Sequence, residues 1–204
     1  MKLRVRVERI ELKLNKPLKI LIVIVVVAVF LFSFIYWIFP WYTIENTKSK
    51  CLRIMQNINS TETKNDLRLM FDRDCNYTEL LTWLHGKLNF SWEKIERHQD
   101  PFEILEYGKG RCEEFSILYV SVCLAHGYRT RLVVDIFGDH MWAEISLFGK
   151  WVHVDPSERR VDDPYMYERD WNKNIKVVYA FEDGCFEDVT LTYREIQGTC
   201  MCAR

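Results

Sequence analysis

The sequence contains no Cys-x-x-Cys pair. Its seven cysteines are spread along 204 residues, with Cys200-x-Cys202 as the only close pair. Structural zinc sites commonly use two closely spaced ligand pairs, so zinc is not expected, and no other cofactor is predicted. Internal repeats and low-complexity linkers are also absent. The roughly 160 residues beyond any membrane segment are therefore predicted to form one domain around a single core.

Beyond its first 19 residues the chain has no excess of positive charge. Those residues hold seven of the 28 basic residues and two of the 29 acidic ones, which leaves 21 basic and 27 acidic residues in the rest. A net charge of about −6 there opposes the phosphate contacts that dominate nucleic-acid affinity. Nucleic acid is therefore not a predicted partner.

Charged residues are missing from residues 20–39, which hold one serine and otherwise apolar or aromatic side chains. About 20 such residues cross a bilayer core as a helix. Aromatic residues typical of the membrane interface follow at its C-terminal end: Tyr36, Trp37, Trp41 and Tyr42. A cleaved signal peptide is the weaker alternative, because the basic region before the run is long and no A-x-A-like site follows. We therefore predict a transmembrane helix.

The charges on either side of this helix predict its orientation. Residues 1–19 are strongly basic, whereas the first stretch after the helix holds only Lys48, Lys50 and Arg53. Cytoplasmic flanks of membrane helices carry the excess of Lys and Arg. The N-terminus is therefore predicted to be cytoplasmic, and the chain from residue 43 onward extracytoplasmic.

An extracytoplasmic domain affects the expected state of the cysteines, because oxidising compartments favour disulfides. We expect at least one oxidised pair. The candidates are Cys51 with Cys75, and Cys185 with Cys200 or Cys202. Connectivity does not follow from the sequence.

Three consecutive segments place a cysteine, a histidine and an aspartate in the order typical of one nucleophile system. Cys112 opens a predicted helix, His140 begins a predicted strand, and Asp155 ends the next. In such a system the thiol attacks, the imidazole transfers the proton, and the carboxylate orients the imidazole. The first turn of a helix favours a thiolate and offers N–H groups to an oxyanion. Asp135 and Asp139 are alternative carboxylates that we rank below Asp155.

Residues 76–193 resemble the transglutaminase-like superfamily, and most of all its peptide:N-glycanase branch. The matching stretches are E-L-L-T-W-L-H-G-K-L-N-F-S-W-E-K, G-R-C-E-E-F, L-A-H-G-Y-R-T-R-L-V-V-D, D-H-M-W-A-E-I, W-V-H-V-D-P-S-E, P-Y-M-Y-E-R-D-W-N-K, V-V-Y-A-F and D-V-T. The resemblance implies that Cys112 is the nucleophile, His140 the general base and acid, and Asp155 the third member. It also implies an α+β, papain/transglutaminase-like core, in which a helix bundle packs on an antiparallel sheet, here preceded by one transmembrane helix.

Four further residues are candidates for substrate binding or for the oxyanion site. Trp92 matches an aromatic residue near the active site of the family, and Glu158 is a substrate-wall candidate by the same resemblance. Trp142 and Glu144 share the strand face of His140, because alternate residues of a strand point the same way, and are expected to line the cleft.

The chain departs from the family at two points. Eukaryotic glycanases carry two Cys-x-x-Cys pairs for a structural zinc, which this chain lacks. The residue after the nucleophile is usually glycine, and here it is Glu113. Its negative charge opposes formation of a thiolate, so it is expected to weaken the site. His153 shares a strand face with Asp155 and is interpreted as a structural histidine.

The remaining patterns predict the elements and their grouping. Helices are predicted at 43–58, 62–71, 76–88 and 111–126, with a short one starting at Pro101, and strands at 128–136, 140–148, 151–155, 176–181 and 185–190. The predicted regions are a basic arm (1–19), a transmembrane helix (20–39), a helical stalk (43–75), a transglutaminase-like catalytic domain (76–193) and a C-terminal tail (194–204).

Three functions fit these patterns. The first is a membrane-anchored cysteine amidohydrolase acting on protein amide bonds, preferably the glycan–asparagine bond of glycoproteins. The second is protein cross-linking or proteolysis by the same triad, since the triad does not choose between water and an amine as acceptor. The third is an inactive, membrane-tethered binding module. Any activity is expected to fall below about pH 6, given a histidine pKa near 6.5.

Overall fold

The computed structural model describes residues 16–70 and 75–201, which divide between two compact units, Met1–Thr43 and Ile44–Arg204. The helices are α1 (Lys16–Ile58), α2 (Thr61–Leu69), α3 (Tyr77–Lys87), α4 (Pro101–Tyr107), α5 (Cys112–Ala125), α6 (Met166–Arg169) and α7 (Thr190–Met201). The strands are β1 (Asn89–Phe90), β2 (Lys109–Gly110), β3 (Thr130–Asp135), β4 (His140–Leu147), β5 (Lys150–Asp155), β6 (Arg160–Val161), β7 (Val178–Glu182) and β8 (Cys185–Asp188).

The described part of the first unit consists of the first residues of α1. Its apolar side chains are mostly exposed to solvent. Within the described ranges α1 is the one helix long and apolar enough to cross a membrane, with a mean hydropathy of 3.1 over its most apolar 18 residues. This length and composition suit a membrane span or a signal sequence. Residues 1–15, most of the predicted basic arm, lie outside the described residues.

The second unit is built on a six-stranded sheet in the order β6-β5-β4-β3-β7-β8, in which every neighbouring pair is antiparallel. A separate parallel pair, β1 with β2, precedes α5. Helices cover both faces of the large sheet, which confirms the predicted α+β class with helices packed on an antiparallel sheet.

Helix α5 is the centre of the larger core. Twelve of its 14 residues are buried, because α2, α3 and α4 pack around it together with β3 and β4. A helix enclosed on all sides can be apolar all round, which explains why α5 lacks the one-sided pattern of a surface helix. The alternating residues of β3 and β4 serve two cores: Leu132 and Ala143 face α5, whereas Val133 and Trp142 face a second cluster on the other side of the sheet.

The segment predicted as a stalk contributes to this core. The C-terminal part of α1 buries Cys51, Ile54, Met55 and Ile58 in the same cluster as α5. The polar residues of this part of α1 are interspersed with that buried apolar stripe. The C-terminal part of α1 is therefore packed into the domain.

The hairpin between β4 and β5 turns one residue earlier than predicted. Its two turn residues are Phe148 and Gly149, with φ of 51° and 77°. Two positive φ values in a two-residue hairpin loop are typical of a type I′ turn, which favours glycine at the second position. The predicted strands 140–148 and 151–155 placed the turn at residues 149 and 150, which was therefore wrong. The other hairpin turns at Asp183-Gly184, inside the gap between the predicted strands 176–181 and 185–190.

Candidate active site

The start of α5 is shaped by two glycines. Gly108 ends α4 in the left-handed conformation, with φ of 67°, which glycine adopts without strain. Gly110 packs closely against the helix, since a Cβ atom on it would lie 2.8 Å from Cβ of Glu114. The chain can therefore enter α5 tightly enough to make Cys112 the first helical residue. The Cys112 side chain is partly exposed there.

Sheet topology brings His140 and Asp155 to one edge. His140 is the first residue of β4, and Asp155 is the last residue of β5. The two strands are antiparallel neighbours, so the beginning of one lies beside the end of the other. Helix α5 packs against β4, which directs Cys112 toward the same edge.

The three side chains form one connected group. His140 Nε2 lies 2.6 Å from Asp155 Oδ2, which leaves Nδ1 as the ring nitrogen for the hydrogen bond with Cys112. Burial lowers the pKa of His140, but the hydrogen bonds with Asp155 and Cys112 outweigh it and raise the pKa to about 9. The imidazole is therefore protonated at neutral pH. The ordinary histidine pKa near 6.5, assumed from the sequence, would leave the imidazole mostly neutral at that pH.

Asp155 is fully buried, and both of its oxygens are engaged. Oδ1 accepts hydrogen bonds from the Ser157 hydroxyl, at 2.7 Å, and from the backbone N–H groups of Ser157 and Glu158. Oδ2 accepts from His140 and from the Tyr167 hydroxyl, at 3.0 Å. Burial raises the pKa of this carboxyl, but the contacts with His140 and Ser157 outweigh it and hold the pKa below its usual value. The carboxylate is therefore kept charged and in a fixed orientation.

The charge of Glu113 is compensated. Its carboxylate oxygens lie 2.6 Å from Lys50 Nζ and 2.6 Å from an Arg97 nitrogen. Burial raises the pKa of Glu113, but these two cations outweigh it and hold the pKa below its usual value. Arg97 also lies 3.1 Å from Glu114, whose other oxygen accepts the Arg111 N–H that opens α5. The expectation that Glu113 weakens the site considered its charge without these partners.

Within the described residues, three cavities border Cys112. The smallest, of about 160 Å³, also borders Glu113, Asp135 and His140, and the two larger ones form a cleft. One, of about 420 Å³, is lined by Trp92, Lys94, Ile95, Arg97, Arg111, Cys112 and Asp139. The other, of about 300 Å³, is lined by Phe90, Trp92, Arg111, Cys112, Asp139, His140, Ser157, Glu158, Trp171 and Lys173. The first is more basic and the second more aromatic. Cys112 lines both of them and therefore lies where they meet.

Two of the four further candidates line this cleft. Trp92 borders both cavities, is 82 % exposed, and packs edge-on against Phe90. Glu158 borders the second cavity, where burial and the charge of Asp155 raise its pKa. Trp171 also borders this cavity and meets the His140 ring edge-on at 4.9 Å.

The other two candidates do not line the cleft. Trp142 is fully buried, stacks beside His140, and donates its indole N–H to the Tyr193 hydroxyl. Glu144 is also buried, and its carboxylate binds Arg131 and Tyr193. The strand face shared with His140 was assigned correctly. However, α7 covers that face beyond His140, so these two side chains support the sheet from within the second core.

The alternative carboxylates occupy other positions. Asp135 is buried and accepts hydrogen bonds from the backbone N–H groups of Lys176 and Val177, which fixes the start of β7. Asp139 lines the cleft but lies in the turn before β4, with φ of 52°. Asp155 is the carboxylate that contacts His140.

The described cysteines are all thiols. Cys51, Cys75 and Cys123 are buried, and Cys185 is exposed. The suggested pair of Cys51 with Cys75 is therefore not joined in this structure. The suggested partners of Cys185 lie outside the described side chains.

Three supporting residues were not found from the sequence. Arg97 reaches the site from the long connection between β1 and α4, and Tyr167 reaches Asp155 from α6. His85, on α3, donates a hydrogen bond of 2.6 Å to the Pro156 carbonyl, directly after Asp155. None of them has a spacing signal, because each meets the site only through long-range packing.

The profile of the transglutaminase-like superfamily matches residues 61–156, a range that includes Cys112, His140 and Asp155. Over 102 residues the chain is 40 % identical to a peptide-N(4)-(N-acetyl-beta-glucosaminyl)asparagine amidase of Oryza sativa subsp. japonica and 35 % identical to that of Saccharomyces cerevisiae. The match covers 49 % of this chain, but only 23 % of the rice protein and 28 % of the yeast protein. The chain thus corresponds to about a quarter of the length of these relatives.

A solved structure shares the fold. A chain in the crystal structure of Rad4-Rad23 bound to a 6-4 photoproduct UV lesion aligns with 74 % of this chain and 48 % of its own length. The TM-score is 0.53 and the sequence identity is 11 %. At this identity the likeness concerns the fold alone.

Proposed function

Because this chain belongs to the transglutaminase-like superfamily, in the branch of the peptide N-glycanases, we propose that it is a cysteine amidohydrolase that cleaves the glycan–asparagine bond of glycoproteins. The observation that carries the proposal is the connected group of Cys112, His140 and Asp155 at the meeting point of two cavities. A thiolate, an imidazolium and a buried carboxylate are the parts that nucleophilic amide cleavage requires.

In the first proposed step, the Cys112 thiolate attacks the side-chain carbonyl carbon of the glycosylated asparagine. The negative charge that develops on the carbonyl oxygen is stabilised by N–H groups at the start of α5 and by the indole N–H of Trp92. The His140 imidazolium gives its proton to the leaving glycosylamine nitrogen. The carbon–nitrogen bond breaks, and a thioester between Cys112 and the former asparagine side chain remains.

In the second proposed step, water replaces the glycosylamine. His140, now neutral, takes a proton from the water, whose oxygen attacks the thioester carbonyl. The carbon–sulfur bond breaks, and the Cys112 thiolate and the imidazolium are restored. The product is an aspartate in place of the glycosylated asparagine. Asp155 stays charged throughout and stabilises the imidazolium.

The two cavities suit the two parts of a glycopeptide. The second cavity combines the aromatic faces of Phe90, Trp92 and Trp171 with polar groups of Ser157 and Glu158, a pairing suited to a sugar. The first, open and bordered by basic side chains, then takes the peptide. A substrate amide at their junction would lie beside Cys112.

Full-length protein in detergent is expected to convert a glycosylated asparagine in a glycopeptide to aspartate. If the reaction is run in heavy-oxygen water, the new carboxyl should carry one heavy oxygen, because water resolves the thioester. Mass spectrometry of the peptide and of the released glycan measures both results.

The Cys112→Ala protein is the control for that experiment, and parallel samples contain casein with an amine donor, or unglycosylated peptides. Incorporation of the amine without loss of glycan would replace the glycanase proposal with cross-linking. Cleavage of peptide bonds would replace it with proteolysis. No turnover in any sample would favour the binding-module function.

We also propose that α1 anchors the protein in a membrane, with residues 1–19 cytoplasmic and the domain from residue 43 outside. The support is the uncharged stretch 20–39 and the seven basic residues before it. Glycoproteins on the outer side of the membrane would then be the accessible substrates.

Protease added to intact cells that express the chain is expected to digest the domain, because the proposed orientation exposes it. Immunoblotting with tags at both ends follows the two sides of the membrane. The N-terminal tag should stay protected until the cells are lysed. Protection of the C-terminal tag in intact cells would refute this orientation.

A further inference from the structure

A buried hydrogen-bonded chain ends on Asp155. The Tyr167 hydroxyl lies 3.0 Å from Asp155 Oδ2, and His153 Nε2 lies 2.7 Å from the Tyr167 oxygen. Tyr167 is 1 % exposed and His153 is 4 % exposed. Neither residue borders the cavities beside Cys112. The Tyr167 ring packs edge-on against the His140 ring at 5.2 Å, and its hydroxyl reaches the site through Asp155.

The direction of the hydrogen bonds follows from proton counting. A tyrosine hydroxyl has one proton, and an ionised carboxylate has none, so the contact with Asp155 is favourable only if Tyr167 donates. The Tyr167 oxygen must then accept a hydrogen bond from an N–H group at His153 Nε2. His153 Nδ1 is buried without a hydrogen-bond partner among the described residues, and a proton there would be unsatisfied. Burial lowers the pKa of His153 to about 4, so the ring is neutral at pH 7. The contact with Tyr167 and the unpaired Nδ1 place its one N–H proton on Nε2.

The hydrogen-bonded series from His153 through Tyr167 ends on Asp155 Oδ2, the oxygen that also contacts the His140 imidazole. Oδ1 is held by Ser157 and Glu158, whereas Oδ2 divides its negative charge between His140 and Tyr167. A carboxylate oxygen that serves two donors binds each of them less strongly than it would bind one alone. The Tyr167 hydroxyl therefore affects both the orientation of Asp155 and its attraction for the imidazolium.

We propose that Tyr167 and His153 are positioning residues: Tyr167 shares Asp155 Oδ2 with His140 and so limits the hold of the carboxylate on the imidazolium, and His153 keeps the Tyr167 proton directed at Asp155. This rests on the proposed function, in which the imidazolium must release its proton to the leaving group. The other titratable or charged groups around His140 are Cys112 on α5 and Asp139, Glu158 and Lys173 in the cleft. Lys50 on α1, Arg97, Glu113 on α5 and Asp135 at the end of β3 border a further cavity that His140 also lines.

The first test compares Tyr167→Phe with Tyr193→Phe. Both changes remove a buried hydroxyl from the same cluster, but the Tyr193 hydroxyl binds Glu144 and Trp142 rather than Asp155. Loss of the Tyr167 hydroxyl should leave Oδ2 to His140 alone, so that kcat falls about tenfold with little change in KM. The alkaline limb of the pH profile should move up by about half a unit or more. Tyr193→Phe should not move that limb.

A purely structural role gives the opposite shift. Loosening of Asp155 would weaken its contact with His140 and move the alkaline limb down. A downward shift, no shift, or an equal shift in Tyr193→Phe would each overturn the proposal. Thermal unfolding of both variants shows whether they remain folded and lose comparable stability.

The second test concerns His153. His153→Leu removes the donor that holds the Tyr167 hydroxyl and should produce part of the Tyr167→Phe effect. His153→Gln offers an amide N–H at a similar reach and should restore part of the activity. Equal effects of leucine and glutamine would overturn the role given to the His153 proton.

Nuclear magnetic resonance of the nitrogen-labelled full-length protein in detergent tests the arrangement without any substrate. His153 should show a protonated Nε2 and an unprotonated Nδ1 at neutral pH, and the titration of His140 should move up in Tyr167→Phe. The reverse tautomer of His153 would overturn the proposal. A wild-type protein without turnover would refute the proposed function, while these titrations would still decide the role of Tyr167.

Discussion

Replacing Cys112 with alanine is expected to lower kcat/KM on a glycopeptide by about 10⁶-fold, or to the limit of detection, because no other group can form the thioester. The domain should remain folded, since the Cys112 side chain is partly exposed at the first position of α5. Release of glycan, followed by mass spectrometry, gives the rate. Thermal unfolding gives the stability.

Cys185→Ala is the matched control for this variant. Cys185 is the exposed thiol at the start of β8 and does not border either cavity of the cleft. Its replacement should leave turnover unchanged. Wild-type turnover in Cys112→Ala would show that the nucleophile has been assigned to the wrong residue.

His140→Ala is expected to cause a loss similar to that of Cys112→Ala. The double variant should lose little more than either single one, because the thiolate and the imidazolium act as one unit. Independent, additive losses would contradict a shared pair. The rate of alkylation of Cys112 in His140→Ala, compared with the wild type, adds a measurement that needs no substrate.

The activity of the wild-type protein is expected to fall as the pH rises through about 9. The pKa of His140 is raised to about 9 by Asp155 and Cys112, and above that pH the imidazolium that protonates the leaving nitrogen is lost. Below that pH the imidazolium is already formed, so His140 is not expected to cause a loss of activity near pH 6. A fall in activity near pH 6, as an ordinary histidine pKa would give, is expected only where the histidine lacks the contacts with Asp155 and Cys112.

Asp155→Asn provides the test of that cause. An asparagine carries no charge to stabilise the imidazolium, so the alkaline limb should move to lower pH and kcat/KM should fall by about 10⁴-fold. An alkaline limb that stays near pH 9 in Asp155→Asn would contradict the role given to Asp155.

The same pKa shift gives a stability prediction. The pKa of His140 is raised above its value in the unfolded chain, so the contribution of His140 to stability is full below about pH 6.5 and is lost as the pH rises through about 9.

The order and setting of Cys112, His140 and Asp155 were predictable from short-range patterns. A glycine pair before an apolar stretch indicated the start of α5, and alternating residues indicated β4 and β5. Antiparallel neighbours joined by a short turn place the start of one strand beside the end of the other, so the approach of His140 to Asp155 follows from the hairpin alone.

The consequences of Glu113 were not predictable in this way. The sequence around Glu113 indicates only a negative charge beside Cys112. Lys50 on α1 and Arg97 in the connection before α4 neutralise that charge, and both meet it only after the helices pack around α5. Coulomb interactions depend on distance in space, which the separation along the chain does not give.

The positions of Trp142 and Glu144 show the same limit. The strand period correctly gave the face of β4 that they share with His140. Whether a residue on that face borders a cleft or a core depends on what covers it, and Tyr193 of α7 covers both of these residues.

The sequence by itself determined α5, β4 and β5 and placed Cys112, His140 and Asp155 at their ends, because periodicity, glycine turns and hairpin connections act over a few residues. The α+β class was what the family resemblance implied. Only the tertiary structure decided the state of those side chains. The raised pKa of His140, the compensated charge of Glu113 and the chain from His153 through Tyr167 to Asp155 all depend on burial and on partners distant in sequence. Burial strengthens each of these electrostatic contacts, and burial is a property of the packed domain rather than of any segment.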